Sequence, residues 1–372
     1  MKVCISRNSL QSALQHLAKA TPTRSTIPIL SSVLFSARDN GLEMRTTDLE
    51  ITIVTQADAT VSAEGGVAVP HRTLMDITNA LPETDIVIEA NDDHRVAMKT
   101  SFGNYDIAGA SPSDFPAMPE VDNKKEIGIS SGTLKRLIEK TSFALSADEL
   151  KPALMGALLE VRTDRISAVA TDGHRLSFCS RTDFSSTGYE GSVIVPKKFL
   201  NLLVPYLDNS DDIVLWVGDN HVTISFTGTT LFSRVIDERY PDYKTVLPKD
   251  NNKILMADRE EMLASVRRVA IFSNRSTKQV ELEISKSGAV VRTEDPENAS
   301  SAEEKFEIDY EADDLSVGFN ANYVVDMLSH LDGAKAVVRL NTPTSATLIG
   351  PEKQQENEEM TMLLMPMRTG GH

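Results

Sequence analysis

Residues 67–77 read VAVPHRTLMDI, residues 193–203 read VIVPKKFLNLL and residues 317–328 read VGFNANYVVDML. All three share one opening, apolar-x-apolar followed by Pro or Asn, and they begin 126 and 124 residues apart. Upstream of each lies another helix-like segment: SLQSALQHLAKA from Ser9, TLKRLIEKTSFAL from Thr133 and EEMLASVRRVAIF from Glu260. Between them a Thr-Asp pair falls at Thr47 and again at Thr171, 124 apart, with a weaker copy, VVRTEDPEN, around Thr293. Each copy closes on a proline, and Pro116, Pro241 and Pro366 are spaced by 125. Landmarks that keep their order through three copies predict a triplicated chain. The expected domains are 1–121, 122–250 and 251–372.

Within each copy the pattern runs helix, strands, helix, strands, so each copy is itself a duplicated half. Leu10, Ala13, Leu14 and Leu17 make one apolar stripe at helical spacing, repeated by Leu134, Leu137 and Ile138. Pro70 and Pro196 stand where a second helix starts, a position at which a missing N–H costs nothing. Strands alternate with period two, as in Val222, Ile224 and Phe226. Six helices are expected, over 7–20, 70–81, 130–145, 196–207, 257–272 and 320–331. The fold class is α+β, one amphipathic helix covering each small antiparallel sheet.

At 372 residues the chain is too long for one ordinary core. Charged residues at 25% and apolar ones at 41% exclude a low-complexity or disordered chain. No apolar run approaches a membrane span, and MKVCISRNSLQSALQHL lacks the apolar core of a secretory signal. A cytoplasmic protein without membrane association is expected. Cys4 and Cys179 have no metal-ligand or disulfide spacing and read as buried reduced thiols. No metal and no cofactor is implied.

A net charge of −16 argues against a nucleic-acid partner only if it is spread evenly. It is not. The six expected helices hold eleven Lys and Arg against six Asp and Glu. Lys135, Arg136 and Lys140 lie away from the Leu134 stripe, and Lys197 and Lys198 occupy a helix start, where cations oppose the macrodipole unless an anion joins them. Solvated helix faces are the bland alternative. Helices turned toward duplex DNA would contact phosphates without reading bases, which permits sliding.

TDGHRL (Thr171–Leu176), RYPDY (Arg239–Tyr243), TIPIL (Thr26–Leu30), TTDLE (Thr46–Glu50) and MPMR (Met365–Arg368) span the chain in order. In these motifs the sequence resembles the β subunit of bacterial DNA polymerase III, the sliding-clamp family. The resemblance implies a DNA-clamp fold, with two subunits closing head to tail into a ring that has helices inside and sheets outside. It implies double-stranded DNA as an encircled partner, together with the replicative polymerase, the clamp loader, repair proteins and others carrying a clamp-binding motif. It also implies a peptide pocket formed by Leu154, Thr171, Gly173, His174, Arg175, Leu176, Pro241, Val246, Leu363, Leu364, Met365, Pro366, Met367 and Arg368, with Asn320 and Tyr323 at its edge. Methionine in LLMPM suits such a site, because it repacks around different partners; an ordinary last strand is the alternative. Arg24, Arg72, Lys197 and Lys198 match DNA-facing basic positions. Pro152 and Ala153 stand where the family can carry an aromatic pair, which weakens stacking on DNA from the loop 147–153. Tyr105, Ile107, Ile271 and Phe272 match subunit contacts, with burial in the domain's own core as the competing reading. The tail Thr369–His372 runs past the usual end of the family.

A hydrolase using Asp172, His174 and Asp48 is the rival class. It has no nucleophile motif and no phosphate loop beside those residues. A scaffold that does not enclose DNA is the other alternative, and the charge partition opposes it.

Overall fold

The computed structural model describes residues 1–38, 41–186, 188–208 and 212–368, so the tail Thr369–His372 lies outside the described residues. Among the described residues six α-helices stand where the periodicity puts them: α1 (Arg7–Leu17), α2 (His71–Ala80), α3 (Ser131–Thr141), α4 (Lys197–Leu207), α5 (Arg259–Ala270) and α6 (Ala321–His330). The α1 stripe Leu10, Ala13, Leu14 and Leu17 is buried, as are Leu134, Leu137 and Ile138 of α3. Caps follow local chemistry. Ser6 accepts the Ser9 amide ahead of α1, Asp258 accepts that of Glu261 ahead of α5, and Asn320 accepts that of Asn322 ahead of α6. Pro70 and Pro196 end strands that run directly into α2 and α4, so the chain turns from extended to helical with no loop between.

The chain forms two compact units, Met1–Ser131 with Asn201–Val235, and Gly132–Leu200 with the chain from Ile236 onward. In the first unit one five-stranded sheet runs from Ala59–Ala63 to the edge strand Asn104–Ala108. A second, eight-stranded sheet includes Thr229–Arg234 paired with Ile51–Ala57, in register from Thr229 opposite Thr55 to Ser233 opposite Ile51. In the second unit a nine-stranded sheet pairs Arg175–Arg181 with the last strand, Glu358–Leu364, from Arg175 opposite Leu364 to Arg181 opposite Glu358. A four-stranded sheet, edged by Ser300–Phe306, completes that unit.

The ladders that join these strands are antiparallel, and the sheets of the half-units are not separate as the duplicated pattern suggests. Where two copies meet, their edge strands pair, so the described residues form four sheets. An unpaired edge exposes a row of N–H and C=O groups, and joining the copies removes two of them at each meeting point.

Candidate docking groove and charged helix faces

The Thr-Asp repeats are one turn built twice. Thr47 donates its hydroxyl to the Ile51 carbonyl (2.9 Å) and accepts the Leu49 amide (3.0 Å), while the Asp48 carboxylate accepts the amides of Glu50 (3.0 Å) and Ile51 (2.7 Å). Thr171 donates to the Arg175 carbonyl (2.6 Å) and accepts Gly173 (3.0 Å), while Asp172 accepts His174 (2.9 Å) and Arg175 (3.0 Å). The third residue is left-handed in both, Leu49 at φ +77° and Gly173 at φ +92°. Near Thr293 the pattern fails. That hydroxyl donates to the Gln279 carbonyl instead (2.6 Å), in keeping with the weaker match of the third copy in sequence.

In the second unit this turn meets the end of the last strand. The Met365 amide donates to the His174 carbonyl (2.8 Å) and the Met367 amide to Gly318 (2.8 Å). Leu176 and Leu363 face each other in the ladder and share an apolar floor with Leu158, Val169, Ile194 and Tyr243, against which Ala153 packs. Leu154 is tied beside them, its amide donating to Lys151 (2.9 Å) and its carbonyl accepting from Ser146 (3.0 Å). Met365 and Val246 are the exposed apolar residues here, at 43% and 52%, and Pro241 is exposed. His174 lies near-parallel to Tyr323 with ring centroids 6.3 Å apart.

Arg175 organises the wall. Its guanidinium donates to Asp172 (3.1 Å), Asp326 (2.5 Å) and the Phe143 carbonyl (2.7 Å), and lies over the Tyr323 ring at 4.5 Å. Burial and the neighbouring Asp172 raise the Tyr323 phenol above its ordinary range. On the floor, burial, and after it the hydrogen bond to Glu160, raise the Tyr243 phenol. Asp48 and Asp172 are both engaged as turn caps, which accounts for them without acid–base chemistry.

Leu364 does not share the apolar floor of Leu176 and Leu363. It is fully buried in the opposite core with Met360 and Met362, because successive strand residues face opposite sides. Asn320 caps α6 and Arg368 is exposed at the rim, its carbonyl accepting from Gln279 at 3.5 Å. Asp326, Phe143 and Tyr243 were not legible as site residues, since each is an ordinary helix or loop residue until the fold brings it to Arg175 or the floor.

Three family models match along the chain: the N-terminal domain of the DNA polymerase III beta subunit over residues 1–119, its central domain over 128–242 and its C-terminal domain over 244–368. The chain belongs to the DNA polymerase III beta-subunit family. The beta sliding clamp of Pseudomonas putida is 31% identical over 370 residues, and that of Escherichia coli is 30% identical over 370. Each of these alignments covers 99% of this chain and 100% of the relative. The crystal structure of the DNA polymerase III subunit beta from Pseudomonas aeruginosa superposes with a TM-score of 0.93 at 30% identity, covering 99% of this chain and 100% of that one. Its role is therefore that of a sliding clamp, a processivity factor with no catalysis of its own.

Among the basic residues of this sliding clamp, two groups separate. Arg72 on the first turn of α2 is almost fully exposed, with Asp76 at 3.9 Å one turn on. Arg24 and Lys198 are exposed, Lys197 is half-exposed, and Lys135 pairs along its helix with Glu139 at 3.6 Å. Arg136 and Lys140 depart from the expectation of free cations. Arg136 clasps Glu358 with two bonds (2.8 and 2.7 Å) and also reaches Asp332, while Lys140 donates to Asp332 (2.8 Å) and to the His330 carbonyl (2.6 Å). Burial pushes the Glu358 carboxyl up, but the Arg136 and Arg181 guanidiniums outweigh it and hold the group below the ordinary carboxylate range. These two cations are neutralised inside the protein.

Ile271 and Phe272 follow α5 and are 77% and 44% exposed, so burial in their own domain core is excluded. The Phe272 carbonyl accepts from Ser300 (3.3 Å), which ties it to the start of the edge strand Ser300–Phe306. Tyr105 and Ile107 sit half-exposed on another edge strand, Asn104–Ala108. Cys179 is buried, which pushes its thiol up to about 12, whereas Cys4 is only partly buried.

Proposed function

We propose that this sliding clamp works as three clamp domains, 1–121, 122–250 and 251–372, in a head-to-tail homodimer that encircles duplex DNA and docks its partners through the groove around His174 and Met365. Replicative polymerase, clamp loader and repair proteins would each insert a short hydrophobic motif there. The observation that carries this reading is the Met365–His174 junction, where an exposed thioether is held by its backbone beside an apolar floor. Arg24, Arg72, Lys135, Lys197 and Lys198 remain the DNA-facing candidates, with Arg136 and Lys140 set aside because their side chains are largely buried against Glu358 and Asp332. Tyr105, Ile107, Ile271 and Phe272 are the subunit contacts. Exposure of the last two, next to an unpaired edge strand, supports that assignment. Among the described residues no helix is long and apolar enough to cross a membrane. Our assignment to the cytoplasm rests instead on the proposed work on DNA.

Topology is the test. Loaded onto nicked circular duplex the protein should persist, and it should leave within seconds once the circle is cut, because sequence-independent phosphate contacts permit sliding. Equal lifetimes on circular and linear DNA would replace encirclement by tight site binding.

A further inference from the structure

We infer that Glu358 is a positioning residue for the docking groove, a latch that holds the last strand in the register from which Leu363 and Met365 reach their places. The inference rests on the groove being the docking site.

Glu358 opens the strand Glu358–Leu364 on the same face as Met360, Met362 and Leu364, which are buried in the core. A carboxylate heading an otherwise apolar row needs partners. Its side chain is only 2% exposed, and it has them: Arg136 (2.8 and 2.7 Å) and Arg181 (3.3 Å). Replacing a buried ion group by apolar residues is often neutral for stability, so the retained role of such a group is better sought in specifying one arrangement. The arrangement here is register. Side chains alternate with period two, so a slip of one residue would turn Leu363 off the groove floor and put Leu364 in its place.

The latch and the groove are at opposite ends of one ladder, Arg181 opposite Glu358 and Arg175 opposite Leu364, about 20 Å apart at ~3.4 Å per residue. Helix α3 links the same two ends a second time. Arg136 holds Glu358, Lys140 holds Asp332 and its carbonyl accepts from Ser177 (2.6 Å), and just past the helix the Phe143 carbonyl holds Arg175 (2.7 Å). Loosening the Glu358 end frees the strand and its helix together.

The experiment is calorimetry on the full-length protein with a synthetic peptide carrying a Gln-led hydrophobic motif, paired with hydrogen exchange at the Leu363 and Met365 amides. Glu358→Gln should weaken the peptide about tenfold, ~1.4 kcal/mol, and speed exchange at both amides. Ile88→Ala, buried in the five-stranded sheet of the first unit and so outside the unit that holds the ladder, supplies the control: a comparable fall in Tm with peptide affinity unchanged. Arg136→Lys keeps the charge but loses the two-pronged grip; it should move both readouts in the same direction by less, and it serves if Glu358→Gln does not fold. Unchanged exchange at Leu363 and Met365 would overturn the latch, as would affinity losses that match those of the control at equal Tm. Failure of the unsubstituted protein to bind the peptide would instead refute the docking reading, and the exchange measurement would still decide on the latch.

Discussion

The backbone amide of Met365 donates to the carbonyl of His174 across 2.8 Å, joining the chain's last strand to a turn nearly two hundred residues earlier. A site assembled this way depends on the C-terminal segment. Removing residues 365–372 should abolish binding of a Gln-led hydrophobic peptide, whose affinity in the intact protein should be roughly micromolar, about −8 kcal/mol, while the dimer survives. Calorimetry decides it: undiminished binding to the truncated protein would place the docking site elsewhere.

Ile271 and Phe272 are exposed after α5. At the subunit seam proposed for them, converting both to Ala would remove apolar anchors worth on the order of 2 kcal/mol or more each. Analytical ultracentrifugation should find a folded monomer. A dimer persisting at nanomolar concentration would move the subunit seam to another surface.

Lys197→Ala with Lys198→Ala should lower the slope of log affinity against log salt, by up to ~0.9 for each phosphate that is no longer neutralised. Arg136→Ala should leave that slope alone and instead destabilise the fold by about 1–3 kcal/mol, since it leaves the buried Glu358 carboxylate with Arg181 as its remaining charged partner. Salt titrations of DNA binding beside thermal melts separate the two. A reduced slope in the Arg136 variant would show that this residue does reach DNA.

The folded state depresses the Glu358 carboxyl below its ordinary value. A depressed acid stabilises the fold above its unfolded pKa, and that contribution is lost as pH falls through the lower, folded value. The advantage of the unsubstituted protein over Glu358→Gln should therefore be full at neutral pH and fade below about pH 4. Urea melts across that range test it; a gap independent of pH would mean the carboxylate's charge is not what matters.

Gly173→Ala isolates backbone strain. An added Cβ would meet nothing closer than the Lys151 ammonium at 3.8 Å, so the penalty is conformational, roughly 1–2 kcal/mol for a left-handed residue. Leu49 bears the same conformation in the first copy, so the turn should still form. A loss above about 4 kcal/mol in denaturant melts would point to a hidden clash, beyond what φ alone explains.

Local rules made the helices legible. The stripe from Leu10 to Leu17 and the Pro or Asn that opens α2, α4 and α6 depend on neighbours a few residues away, which is the range that periodicity senses. Leu363 and Leu364 show where this ends. Both are apolar, and only the phase of the strand sends one to the groove and the other to the core. Arg136 and Lys140 mislead for another reason. A basic residue on a polar helix face looks the same whether it faces solvent, phosphate or a carboxylate 222 residues on, and pattern alone cannot bring Glu358 to α3.

The ladder between Ile51–Ala57 and Thr229–Arg234 means that the repeats, although alike in pattern, are not modules that can be excised. A gene cut after the first copy would encode a fragment whose ITIVTQA strand has lost its neighbour and presents bare, β-branched backbone to other molecules. Such fragments would precipitate by edge-to-edge pairing. Once triplicated, a chain of this design could diverge in place, but it could no longer donate a single copy to another protein.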